Sequence, residues 1–351
     1  MRRLALTIAL ALAVALTSPA SGEQLRGSGS TFAYPIFAQW EMAYEKISRV
    51  HIEYQPVGST IGLKEVVAGV VDFAVSDTPL DNYQLLREGL AQFPVVIGAI
   101  VPVVNLDGIT AGQLRLTGQL LADIYLGKVT SWSDPAIAAM NSGLVLPNRA
   151  IFVIHRSDGS GTTFNWTDYL SKISDEWKAK VGTGNLIAWP TGLGGKGNTG
   201  VADNVARVKG GIGYVEFGYA QRKKLSYVLV QNRAGKFVPP AMSSFRAAVA
   251  GVDWTQVREF YVSMSDAGKE DAYPIMAASF ALIHRYPKDA AHSNEVLAFF
   301  RWALENGQDM ATSLNYLPLS PPLVQQVMDY WNTNWGPAKE PLLAPNSKTP
   351  G

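Results

Sequence analysis

Two long apolar stretches, far apart in the chain, constrain the fold more than any other feature. Phe93 to Leu106 reads FPVVIGAIVPVVNL, and Ile275 to Ile283 reads IMAASFALI. Neither shows the polar alternation of a half-exposed strand, so each needs cover on both faces. Pro102 argues against a central strand, or for a crossing segment with an irregular point. At roughly 150 residues per domain, a chain of 351 residues divides into two domains or two lobes of one. Two buried strands that bridge such lobes satisfy both observations. With 47% hydrophobic and 17% charged residues, the chain can build a large core.

The N-terminus reads as a signal for export. Arg2 and Arg3 precede an apolar run from Leu4 to Leu16, and Thr17, Ser18, Pro19 and Ala20 supply small residues for cleavage. The run is shorter than the roughly 18–20 residues that span a bilayer, so residues 1–23 are expected to be removed rather than to anchor the chain. Loss of Arg2 and Arg3 alone takes the formal charge from +1 to −1. Such a near-neutral chain has no global electrostatic case for nucleic acid or for an anionic membrane. The absence of cysteine excludes disulfides, thiolate metal ligands and a cysteine nucleophile.

One local device recurs. Ile151–Ile154 reads as a buried strand, His155-Arg156-Ser157-Asp158-Gly159-Ser160-Gly161 as a turn, and Thr162 onward as a helix. Backbone N–H groups converge at such a helix start, where the dipole stabilises an anion by roughly 0.3–1 kcal/mol. Arg156 adds a full charge with a planar fork of donors. The same elements read equally well as an ordinary capped turn. Gly27 to Thr31 (GSGST) before the helix of FAYPIFAQW, and Gly58-Ser59-Thr60 after the strand VHIEYQ, repeat the pattern. Asp77 directly follows the strand VDFAV, where open α/β sheets place ligand groups. Three such loops, one arginine and two acids together read as an oxyanion cage built from neutral donors. At roughly 1.5–3 kcal/mol per charge-assisted bond, such a cage reaches about micromolar affinity.

Other chemistries fit less well. Ser160 and Ser59 lack the glycine two residues upstream that a GxSxG elbow needs. Lys196 is followed by Gly197 rather than Ser or Thr, so the glycine-rich stretch Thr183–Gly200 is no P-loop and is expected to be a loop. The four histidines have no metal-ligand spacing, and neither metal nor cofactor is expected. An exported phosphatase-like enzyme using Ser160 and His155 is the competing reading.

The motifs GSGSTFAYPIFAQW, YQPVGST, DFAVSDTPL, FPVVIGAIVPVVN, IYLGKVTSWSD, RSDGSGTTFNWTDYL, WPTGLGGKGNTGV and GGIGYVEFGYA occur in this order along the chain. In these, the chain resembles the periplasmic phosphate-binding proteins of bacterial high-affinity phosphate ABC transporters, from Leu25 to about Trp335. The resemblance implies an α/β, two-lobed periplasmic binding protein fold (type II-like), each lobe a mixed sheet flanked by helices, with two hinge strands. Lobe I is expected to comprise residues 24–104 and 277–345, lobe II 105–276, and 346–351 a C-terminal tail. It further implies a periplasmic, non-enzymatic monomer that captures inorganic phosphate and passes it to membrane permease subunits. Matched residue by residue, Thr31 and Phe32 would donate from the first loop, Ser59 from the second, and Ser160, Gly161 and Thr162 from the third. Arg156 would pair with phosphate and Asp158 would hold Arg156. Asp77 would discriminate, because an ionised carboxylate only accepts hydrogen bonds and needs a ligand that still carries a proton. The chain departs from the pattern at Ser59-Thr60-Ile61-Gly62, where small residues usually follow the serine. His155 stands where a second basic residue is common.

Overall fold

The computed structural model describes residues 24–334, so the expected signal segment 1–23, the last expected residues of lobe I and the expected tail 346–351 lie outside the described residues. Twelve strands run in chain order: β1 (Gln24–Gly29), β2 (His51–Gln55), β3 (Phe73–Ser76), β4 (Leu90–Val104), β5 (Arg115–Leu116), β6 (Phe152–Arg156), β7 (Leu193–Gly195), β8 (Gly211–Glu216), β9 (Ser226–Tyr227), β10 (Leu229–Gln231), β11 (Phe237–Val238) and β12 (Met276–His284). Nine form one sheet in the order β2-β1-β3-β12-β4-β8-β6-β7, with β9 added on β4, while β11-β10-β5 form a small separate sheet.

The 15-residue strand β4, buried at every position, joins the two halves. From Leu90 to Ala99 it pairs antiparallel with β12, and from Ile100 to Val104 with β8. The chain returns at Ile275, whose carbonyl accepts from Ile100 N at 2.9 Å, just before β12 begins. Pro102 does not break the strand. Its carbonyl accepts from Val228 N at 2.9 Å. Its nitrogen faces the same edge, so the β8 ladder loses no bond. The irregularity sits elsewhere, at a register shift between Ser279 and Phe280 opposite Val96 and Pro94.

The parallel strands β2, β1 and β3 fill one half, and the parallel strands β8, β6 and β7 fill the other. Helices Tyr34–Ser48 and Ser59–Val67 follow β1 and β2, and helices Gly161–Ile173 and Gly197–Arg207 follow β6 and β7. Every one of these helix starts therefore lies at the C-terminal end of a parallel strand, the edge where open α/β sheets gather ligand groups. Phe37 anchors the core of the first half, ringed by Trp40, Tyr54, Phe73, Phe299 and Phe300. In the second, Trp166 stacks on Tyr214 at 4.9 Å, with Tyr125 and Trp189 beside them.

Several local expectations need correction. Leu114–Leu126, whose spacing reads along the sequence as one helix, holds β5 and a helix from Gly118 to Tyr125, because Thr117 caps Leu120 N and starts a new element. Thr183–Gly200, expected as a loop, contains β7 and the first residues of helix Gly197–Arg207; glycines 194 and 195 pair with His155 and Arg156 of β6, and a Cβ on either would clash with Ser157 or the backbone of Gly200. Trp254–Val262, which reads along the sequence as a helix, holds two single 3-10 turns, Trp254–Gln256 and Arg258–Phe260. Asn294, which reads along the sequence as the N-cap of a helix reaching Glu305, lies inside a helix that begins at Ala290, capped by Asp289. No helix among the described residues is long and apolar enough to cross a membrane.

Phe37 is fully buried among five aromatic rings. Phe37→Ala should therefore lower unfolding free energy by about 3–5 kcal/mol, read from urea denaturation.

Candidate functional site

The strand ends of the two halves meet. Ser59 opens the helix after β2, its oxygen accepting from Gly161 N at 3.1 Å and from Asp77 N at 3.4 Å. Gly161 starts the helix after β6, and a Cβ there would stand 2.7 Å from both Asp77 Cβ and Asp77 N. The two backbones thus approach as closely as glycine allows. Asn165, one turn further, donates to Asp77 O at 2.7 Å and to Gly161 O at 2.9 Å. Thr60 N donates across to Gly159 O at 3.3 Å.

Asp77 is buried, and Ser30 Oγ (2.6 Å) and Ser279 Oγ (2.8 Å) both donate to its Oδ1. Ser30 Oγ in turn accepts from Phe32 N (3.0 Å) and Ala33 N (3.2 Å), so the turn after β1 and the carboxylate orient each other. Burial raises the Asp77 carboxyl to about 6, although the Ser30 and Ser279 hydroxyls and the Arg156 charge oppose the rise.

Arg156, the last residue of β6, is 2% exposed. Its Nε donates to Asp158 Oδ1 at 2.8 Å and its Nη2 to Asp158 Oδ2, a bidentate pair. Its Nη1 reaches Thr162 Oγ1 at 3.3 Å. Gly197 N also donates to Asp158 Oδ1, at 2.9 Å. Burial alone would raise the Asp158 carboxyl, but the Arg156 guanidinium and that N–H outweigh it and hold it below the usual carboxylate range.

All the residues expected from the sequence fall in this one cluster: Thr31, Phe32, Ser59, Asp77, Arg156, Asp158, Ser160, Gly161 and Thr162. Ser160 N donates to Asn185 O at 2.9 Å, and its hydroxyl oxygen caps Thr163 N at 3.1 Å. His155 lies outside the cluster. Its ring stacks on Trp189 at 4.7 Å, and Nδ1 meets Arg156 O at 3.0 Å. Half-buried, its imidazole is held below its ordinary value by desolvation, which disfavours a second cation beside Arg156.

Sequence reasoning missed Ser279, Asn165, Asn198, Tyr214 and Glu216. Ser279 carries a signal in hindsight, as a lone hydroxyl inside the apolar run IMAASFALI. Asn198 is the second residue of helix Gly197–Arg207 and is fully buried, and its Oδ1 accepts from Glu216 N at 2.8 Å. Tyr214 OH bonds Thr163 Oγ1 at 2.7 Å and accepts from Arg156 N at 3.3 Å. Tyr219 OH and Tyr316 OH donate to the carbonyls of Thr31 (2.7 Å) and Phe32 (2.5 Å), pinning the turn after β1. Among the described residues no group of three or more His, Cys, Asp or Glu could hold a metal ion.

This arrangement, with helix starts from two sheet halves facing each other across two buried crossing strands, defines a two-lobed binding protein. The PBP superfamily domain matches residues 14–306. The phosphate-binding protein PstS of Xylella fastidiosa is 49% identical over 320 residues, covering 90% of this chain and 88% of the relative. PstS of Pasteurella multocida is 46% identical over 319 residues, covering 91% and 92%. The chain belongs to this family of PstS phosphate-binding proteins. The solved structure of a phosphate-binding protein from Stenotrophomonas maltophilia shares the fold, with a TM-score of 0.68 at 18% identity, over 87% of this chain and 93% of that one.

Glu216 ends β8 with its side chain fully buried; Oε1 accepts from Gly218 N at 2.6 Å and Oε2 from Tyr219 N at 3.3 Å. Burial raises its carboxyl to about 8 against these bonds. The folded protein thus holds protons at Asp77 and Glu216 that the unfolded chain releases near pH 4. This contribution to stability is complete below about pH 4 and is lost as pH rises through about 6 and then about 8. Without added anion, the melting temperature should fall from pH 5 to pH 9. Glu216→Gln, which removes the upper titration, should flatten the fall above pH 7 in a calorimetric scan.

Proposed function

We propose that this protein is an exported receptor that closes on inorganic phosphate and delivers it to the membrane permease subunits of an ABC transporter. It would act as a periplasmic monomer, with residues 24–104 and 277–345 forming lobe I and 105–276 lobe II. The observation that carries the reading is Asp77: a buried carboxylate with both its serine donors on Oδ1, in a cluster with a buried arginine that Asp158 holds and otherwise made of hydroxyls and N–H groups. Oδ2 would accept the proton that mono- or dihydrogen phosphate retains. Thr31, Ser59, Arg156, Ser160 and Thr162 would donate to the other oxygens, Phe32 N and Gly161 N would share with them the protons they give to Ser30 Oγ and Ser59 Oγ, and Asp158 would fix the plane of the Arg156 guanidinium. Sulfate, fully deprotonated, would set acceptor against acceptor in a dry site.

Binding rather than hydrolysis is supported by two contacts. The Ser160 oxygen is engaged by Thr163 N, and the His155 ring is stacked on Trp189 with Nδ1 on the Arg156 carbonyl. Neither side chain is engaged with the other as nucleophile and base.

Calorimetric titration at pH 8 should show phosphate bound at least about a hundredfold more tightly than sulfate. Equal affinities would sink the assignment. Asp77→Asn, whose amide donates, should narrow the gap by raising sulfate affinity; an unchanged gap would remove Asp77 from that role. Because the carboxyl titrates near 6, it accepts only above that pH and acquires a donor below it. Sulfate competition against phosphate in the unaltered protein should therefore strengthen as pH falls from 8 to 5, and this trend should be lost in Asp77→Asn.

A further inference from the structure

We infer that Asn198 is a positioning residue that forces the hydroxyls of Thr31 and Thr162 to act as donors toward the bound anion. This rests on the phosphate reading above. A hydroxyl oxygen has one proton to give and room to accept two. In a site that must offer only donors to an anion, a hydroxyl free to turn its lone pairs inward is a liability. Asn198 removes that freedom.

The Thr31 oxygen accepts from Asn198 N at 3.1 Å and from Asn198 Nδ2 at 3.0 Å. Both acceptor positions are filled, so the Thr31 proton has to point elsewhere. The Thr162 oxygen accepts from Arg156 Nη1 at 3.3 Å and from Asn198 Nδ2 at 3.4 Å, with the same result. Both residues are buried, with Thr31 8% and Thr162 1% exposed, so few waters can compete for these bonds. Ser59 is polarised in the same way by two backbone N–H groups, from Gly161 and Asp77. At Thr31 and Thr162 the Asn198 amide completes the pair of donors, beside its own backbone N–H at Thr31 and Arg156 at Thr162.

The orientation of the Asn198 amide is itself determined. Its Oδ1 faces Glu216 N, a group that only donates, so the carboxamide oxygen must lie on that side and the NH2 toward the threonines. Glu216 pairs with Ile100 at the point where β4 passes between sheet halves. Asn198 therefore takes its orientation from the crossing region and imposes donor polarity on one hydroxyl from each half. It touches Thr31 only when the two halves are together, so the polarity is set as the site closes.

The test is a double-mutant cycle on the full protein, read by calorimetry with inorganic phosphate. Each variant is checked for an intact melting transition. Asn198→Ala should weaken phosphate binding by roughly thirtyfold. Thr31→Val keeps the shape and removes the hydroxyl. In that background the Asn198 change should cost less than about threefold beyond what loss of the Thr162 bond costs, which the matching cycle with Thr162→Val measures. A merely structural residue would cost the same in every background, and that result overturns the inference while leaving the phosphate reading intact. Should Asn198→Ala fail to fold, Asn198→Leu, which conserves volume without donors, enters the same cycle with the same two outcomes. Absence of phosphate binding by the unaltered protein would overturn both.

Discussion

The structure depends on hydrogen-bond satisfaction in a place that water does not reach. The strand ends of both halves bring backbone N–H groups, hydroxyls, a guanidinium and two carboxylates into one buried cluster, and each polar group left alone there would cost a few kcal/mol. The cluster resolves this by pairing groups that belong to different halves. Ser59 meets Gly161, Asp77 O meets Asn165, and Thr31 meets Asn198 and Tyr219. The groups that define the site therefore also hold the two halves together. The glycine at 161 is required by this economy of space, since any side chain there would push Asp77 away.

Much of this was legible along the chain, because the device is local. A buried strand, a glycine turn and a hydroxyl before a helix sit within about ten residues, so Thr31, Ser59, Ser160 and Thr162 can be read where they stand, as can the position of Asp77 at a strand end. The apolar runs likewise announce β4 and β12. What was hidden is non-local. Ser279 acts on Asp77 from 202 residues away, and Asn198 acts on Thr31 from 167. Neither has a neighbour in sequence that explains it. Boundaries failed where a cap or a close packing overrode periodicity: at Thr117, which starts a helix where none was expected to start, and at Asp289, which starts one earlier than its apolar face suggested. Pro102 misled in a different way, since its cost depends on which edge of the strand its nitrogen faces.

The buried carboxylates divide into two kinds. Asp158 is matched in place by Arg156 and stays ionised easily, whereas Asp77 and Glu216 carry raised proton affinity because burial exceeds what their donors return. The first kind fixes geometry. The second stores an unmet demand, at Asp77 for a proton from a partner and at Glu216 beneath the strand crossing that Asn198 reads.

The Arg156–Asp158 pair has a further meaning for how an anion arrives. Within the cluster one cation faces two acids, so the cluster as a whole does not attract an anion at long range. Attraction begins only where individual N–H and O–H dipoles are felt, within a few ångströms, well inside a Debye length at ordinary ionic strength. A site built this way gives up electrostatic steering and gains indifference to the salt of its surroundings. Its capture rate is left to diffusion and to the short-range fit of donors to anion, with little dependence on ionic strength.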